Sequence, residues 1–210
     1  LDKKTFNPSL HRNFRRDLIN SCIYKDKFYY KGIRTFNISD PQALQDREFL
    51  LRLNGGFDEF ITFSDLLINN NYLAFRRDLM PLILNSPNEK IIISNWRSKI
   101  NFKFFRHIKL SDDFIPNYEN EIKLILSKLD DIPQRSIVLC SASSLTNILG
   151  HKLFQTRKDL TFLDIGTSIN DLLSLPINTR TYHNILTKYK DYGPILRSIK
   201  YIINDLVIRW

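Results

Sequence analysis

Three short runs set side chains capable of chemistry directly after apolar, strand-like segments. The first is Thr161–Asp171, reading TFLDIGTSIND. Asp164 closes its apolar part, and a carboxylate at a strand end can accept ribose hydroxyls or take a proton as a base. Gly166 beside it permits a backbone angle that a side chain resists. A turn with an Asx cap explains the same residues equally well. The second run follows SIVLC, where Ser141-Ala142-Ser143-Ser144 leads into a helical pattern. Small residues let the backbone approach a ligand, and the N–H groups that open a helix can hold a phosphate. A plain serine N-cap is the competing reading. The third run, Asn69-Asn70-Asn71-Tyr72, offers carboxamides to a base or sugar but reads more simply as a turn.

Other chemistries find no support in the residue order. There is no GxxxxGK[ST], no GxGxxG and no GxSxG run. His11, His107, His151 and His183 lack the spacing of a zinc site. Asp112-Asp113 and Asp130-Asp131 read as a helix cap and a helix end. Cys22 and Cys140 build no disulfide framework and read as small core residues, which makes a reducing, cytoplasmic setting the expectation.

Short β-rich runs and longer amphipathic runs must position these candidates. Asn7 and Pro8 open a helix over 8–22 whose apolar face is Leu10, Phe14, Leu18 and Cys22. Strands are expected over Lys27–Ile33, Phe60–Ile68, Ile91–Ser94, Phe104–Leu110, Ser136–Cys140 and Thr161–Ile165. In the second of these, Ser64-Asp65 could equally cap a helix. A helix from Pro41 stops at Gly55-Gly56. Another covers Tyr72–Leu84, with Phe75, Leu79, Leu82 and Ile83 inward and a bend at Pro81. Helices over Tyr118–Leu129, Ser144–Phe154 and Pro194–Trp210 complete the pattern. Strands alternating with helices predict an α/β fold: a mostly parallel sheet with helices on both faces.

Composition agrees with one globular domain over 1–210: 43% of residues are hydrophobic and 25% charged. No apolar run is long enough to span a bilayer, and LDKKTFNPSL lacks a signal-type core. A chain that opens on Leu1 is expected to be processed or to continue upstream, where part of the site would then lie. The net charge of +9 is concentrated at the ends, with nine Lys/Arg against three Asp in residues 1–34. Such a surface attracts polyanions without defining one.

With these pieces in order, the chain resembles the GT-D-type and GT-D-like glycosyltransferases. ITFSDLLINNNYLAF (61–75), IVLCSASSLTNILGHKL (137–153), TFLDIGTSINDLL (161–173), Arg180-Thr181-Tyr182 and YYKGI (29–33) carry the likeness, in the family's order, over about residues 8–183. The resemblance implies a Rossmann-like fold and transfer of a sugar from a nucleotide-diphosphate donor, a UDP-sugar above others, to a carbohydrate or glycoconjugate. It implies that Asp164 is catalytic. Gly166 and Thr167 line the donor with it, Ser141, Ala142 and Ser143 border the nucleotide or its phosphates, and Asn69, Asn71 and Tyr72 form another wall. Arg180 pairs with the diphosphate, its fork suiting phosphate oxygens. Mn²⁺ or Mg²⁺ is implied as well. The family's R-x-G-D-G-E metal run is absent, however, and Asp46-Arg47-Glu48 matches D-x-E only on a helical pattern, so no ligand is assigned. Two alternatives stand beside this reading: a non-catalytic nucleotide-sugar-binding or assembly module of the same fold, and a basic nucleic-acid-binding domain. Charge alone motivates the last, and no nucleic-acid partner is expected from it.

Overall fold

The computed structural model describes residues 5–33, 41–100, 105–170, 172–175 and 180–184. In chain order the elements are α1 (Arg12–Ile23), β1 (Lys31–Ile33), α2 (Pro41–Asn54), β2 (Ile61–Phe63), α3 (Tyr72–Ala74), α4 (Met80–Asn85), β3 (Lys90–Asn95), β4 (Phe105–Leu110), α5 (Tyr118–Asp130), β5 (Ile137–Ser141), α6 (Ser144–Thr156) and β6 (Thr161–Asp164). A π turn, Phe75–Leu79, joins α3 to α4.

Four strands form one parallel sheet in the spatial order β4–β3–β5–β6. Its two central strands are apolar over Ile91–Ile93 and Ile137–Cys140 because both faces are covered. Ile91 and Ile93 of β3, with Val138 and Cys140 of β5, face a layer holding Phe14 of α1, Ile122, Ile125 and Leu129 of α5, and Leu145, Ile148 and Leu149 of α6. Ile92 and Leu139 point the other way, onto Tyr72, Phe75, Met80 and Ile83. This alternation is the period-two side-chain geometry of a strand, and each such residue fully buried contributes about 1.5–3 kcal/mol. Helices thus cover both faces, the Rossmann-like α/β arrangement expected from the pattern. Gly150 brings α6 close to the sheet, since a Cβ there would stand 3.0 Å from the Phe162 ring.

The crossovers obey one handedness. From β4 to β5 to β6 the chain moves in one direction across the sheet, and α5 and α6 lie on the same face. From β3 to β4 it moves in the opposite direction, and Ile100 of that connection packs on the other face. Right-handed connections require this. The neighbours β3 and β5 therefore send the chain to opposite faces as it leaves their carboxyl ends.

Several local expectations are corrected. Leu82 is not inward but 69% exposed. Pro81 has no N–H to give the Arg77 carbonyl four residues back. The preceding turn widens into the π turn and rotates α4 about its axis. Leu10 is 77% exposed and precedes α1, whose buried line is Phe14, Asp17 and Ser21. Asn7 caps the turn before it, its Oδ1 accepting the N–H groups of Ser9 and Leu10. The strand expected over Phe60–Ile68 is only Ile61–Phe63, because Ser64–Leu67 winds as a 3₁₀ turn. The strand at Lys27–Ile33 shortens to Lys31–Ile33, which pairs with β2 in a separate two-stranded parallel sheet. The stop of α2 is as expected: Gly55 and Gly56 take φ of +80° and +109°, and the Gly56 N–H reaches the Leu51 carbonyl at 2.8 Å. The helix expected over Pro194–Trp210 lies outside the described residues. Among the described residues, no helix is long and apolar enough to cross a membrane.

Candidate functional site

Open parallel sheets hold ligands beyond the carboxyl ends of their strands, where neighbouring strands send the chain to opposite faces. In this sheet that point lies between β3 and β5. Ser94 and Ser141 are paired there across the two strands, and Cys140 of β5 is paired with Asp164 of β6. The exits of three adjacent strands, Asn95–Ser98, Ser141–Ser144 and Asp164–Thr167, thus line one edge.

At the β5 exit the chain turns sharply into α6. Ser143 occupies the N-cap position with φ 52° and ψ −138°, a strained conformation for a residue with a side chain. Its side chain makes no capping hydrogen bond. The plain serine cap is therefore not what this turn builds. Thr146 bonds back instead, its Oγ1 accepting the Ala142 N–H at 3.0 Å. Ala142 is buried, Ser141 is half-buried and Ser143 is exposed. Short side chains and a helix start without a side-chain cap leave room for an anion to approach the backbone.

At the β6 exit, Asp164 is exposed. Lost hydration pushes its carboxyl up to about 6, while the Gly166 N–H, 3.0 Å from Oδ1, pulls the other way. Gly166 takes φ 45° to make this bond, so the Asx-turn reading of these residues is correct as geometry. A carboxyl that titrates close to neutrality is also suited to proton transfer.

The loop beyond Asp164 gathers other candidates. The Thr167 hydroxyl meets the Tyr182 hydroxyl, and its carbonyl lies 3.0 Å from Nε2 of His183. The Tyr182 ring packs 4.9 Å from that of Tyr72. Tyr72 is fully buried, so it supports this loop from beneath. Arg180 is exposed, with its backbone N–H on Nδ1 of His183, which holds it beside Thr167. Asn71 uses its carboxamide on the Asp65 carbonyl at 3.0 Å, and Asn69 is exposed with φ 53°, both as turn formers do.

Residue order alone does not single out the β3 exit. Ser94, fully buried, bonds Ser98 at 2.9 Å and stands 2.9 Å from Nε2 of His107. Burial, and then Lys109, hold that imidazole below its usual pKa. Asn95 and Trp96 both donate to Asp112, at 2.8 and 3.1 Å. The polar run after Ile91–Ile93 signals a strand exit, but only the strand order reveals that it flanks the switch point.

The resemblance implies a divalent ion without assigning its ligands, and the literal D-x-E match lies on α2. Asp46 sits exposed on α2 with its carboxylate on Gln42. Among the described residues no group of three or more His, Cys, Asp or Glu side chains could hold a metal ion. Two surface depressions lie away from the sheet edge. One, of about 330 Å³, is lined by Gly32, Asp46, Phe49, Leu50 and Ser64; the other, of about 290 Å³, by Pro8, Arg12, Arg15, Arg16, Ile19 and Asn20.

Comparison of the chain with protein-family models, curated proteins and solved structures returned no match.

Proposed function

We propose that this chain binds a nucleoside-diphosphate sugar along the carboxyl edge of its four-stranded sheet and transfers the sugar to a glycan or glycoconjugate. The observation that carries this reading is the adjacency of Asp164 to the small-residue turn Ser141–Ser144, at neighbouring strand ends beside the switch point. The GT-D-like order of motifs supports it and makes a UDP-sugar the proposed donor and the cytoplasm the proposed setting. The turn before α6 takes the phosphates, Arg180 pairs with the diphosphate, and Gly166 and Thr167 line the sugar. Asp164, ionised above about pH 6, removes the proton from the acceptor hydroxyl as its oxygen bonds the anomeric carbon. The bond from that carbon to the diphosphate breaks, and the nucleoside diphosphate leaves with the electron pair.

Calorimetric titration with UDP, GDP, CDP, ADP and dTDP, each with and without Mn²⁺, tests the reading. Saturable binding of at least one is expected. Heat from none of them contradicts it. Binding without transfer to any sugar acceptor would favour the non-catalytic module of the same fold.

A further inference from the structure

We propose that Trp96 is the stacking platform of an acceptor-sugar subsite, on the β3 side of the edge that carries Asp164. The inference rests on the glycosyl-transfer reading for the role of the sugar, but on its own geometry for the site.

Trp96 is 51% exposed, yet it is held firmly. Its backbone N–H reaches the Leu110 carbonyl at 2.9 Å, and its indole N–H reaches Asp112 at 3.1 Å. The Arg97 guanidinium lies 5.1 Å over the ring and forms an ion pair with the same Asp112. Asn95 completes the frame, donating to Asp112 at 2.8 Å and accepting the Arg97 N–H at 3.0 Å. Holding a large apolar ring in one pose at the surface costs rotamer freedom and leaves apolar area in water. An indole N–H bond and a stacked guanidinium that fix such a ring build a surface for something to rest on.

The chemistry of the ring selects the occupant. The indole N–H is already engaged, so the ring has no donor left for a base edge and presents an apolar face. The C–H face of a pyranose matches the ring face opposite Arg97, while the Arg97 and Asp112 side chains beside it suit sugar hydroxyls. Position agrees. The Lys99 N–H holds the Leu173 carbonyl at 2.8 Å, which ties this loop to the segment following Asp164. β3 and β6 are two strand spacings apart, about 10 Å, and Leu110 and Asp112 hold Trp96 on the β4 side, so the platform takes an acceptor unit remote from the hydroxyl that Asp164 deprotonates.

Intrinsic fluorescence reads the platform directly. The chain has two tryptophans, so Trp210→Phe leaves Trp96 as the sole indole. This protein is titrated with the methyl glycosides of glucose, galactose and N-acetylglucosamine and, separately, with UDP. A saturable emission change with at least one glycoside is expected. By calorimetry, Trp96→Ala should weaken that glycoside by about tenfold, Trp96→Phe should restore most of it, and UDP affinity should stay within about twofold of the parent. Emission that responds to no glycoside, or to UDP alone, overturns the platform. Equal loss of UDP and glycoside in Trp96→Ala overturns it too. Glycoside binding in a protein that binds no nucleoside diphosphate would leave the platform standing and remove the transferase reading instead.

Discussion

Two carboxylates occupy contrasting regions of this molecule. Asp17 lies between α1, α5 and α6 and is 8% exposed. It accepts the Tyr118 hydroxyl at 2.7 Å and pairs with Lys152 at 2.8 Å and Arg16 at 3.4 Å. Burial works to raise its pKa, but the bonds from Lys152 and Tyr118 outweigh burial and hold the carboxyl below its usual value. Asp164 stands at the end of β6, where crowding raises its pKa and the Gly166 N–H is its one opposing contact among the described residues. A buried charge with a full set of partners holds architecture together. A carboxylate at a strand end with one such partner is of the kind that a ligand or a proton can use.

Substitutions should separate the two regions. Asp17→Ala strands the Tyr118 hydroxyl and the Lys152 ammonium. Lys152 is 29% exposed and can still find water, so the cost falls at the low end for a broken buried pair, about 3 kcal/mol. Urea unfolding measures it, and nucleotide affinity should not change. A loss below about 1 kcal/mol, the range of exposed pairs, would place Asp17 among ordinary surface charges. Asp164→Asn should do the reverse. Sugar transfer falls by about 100-fold or more, while thermal stability holds or rises because a crowded charge is removed. Large unfolding with transfer otherwise intact would make Asp164 a structural residue.

Ser143 gives a smaller test of the same contrast. Its positive φ is strained for serine, so Ser143→Gly should raise stability by about 1 kcal/mol in urea unfolding. A fall of that size would mean that its side chain holds the turn after all.

The two carboxylates also predict opposite pH slopes. Asp17 has a lowered folded-state pKa, so its contribution is present above the unfolded value, roughly 4, and is lost as pH falls. Asp164 has a raised one. Its contribution is fully present below roughly pH 4 and is lost as pH rises through about 6. Asp164→Asn should therefore flatten a decline in stability over that window, and an acid limb near pH 6 in the transfer rate should vanish with it. A limb that survives in Asp164→Asn assigns the base to another residue.

The fold is largely legible in the sequence because its signals are local. The Ile91–Ile93 and Val138–Cys140 runs are apolar on both faces, as central parallel strands must be. The rule that ligands lie past such strands points to Ser141–Ser144 and Asp164 from residue order alone. Effects of partners distant in the chain, or of backbone winding, escape such reading. Pro81 acts through a π turn upstream, so Leu82 faces out although its spacing reads inward. Tyr72 matches a donor-site motif, yet tertiary packing against Tyr182 buries it. Trp96 gains its role only when β4 lies beside β3 and brings Asp112 to it, and residue spacing carries no trace of strand order.

Amide chemical-shift mapping with UDP tests the central claim most directly. Perturbations are expected to concentrate at Ser141–Thr146 and Asp164–Ser168, with weaker ones at Asn95–Ser98 across the switch point. Shifts centred instead on the α1 arginines Arg12, Arg15 and Arg16, or around Gly32 and Asp46, would contradict a nucleotide site at the sheet edge and move it elsewhere on the surface.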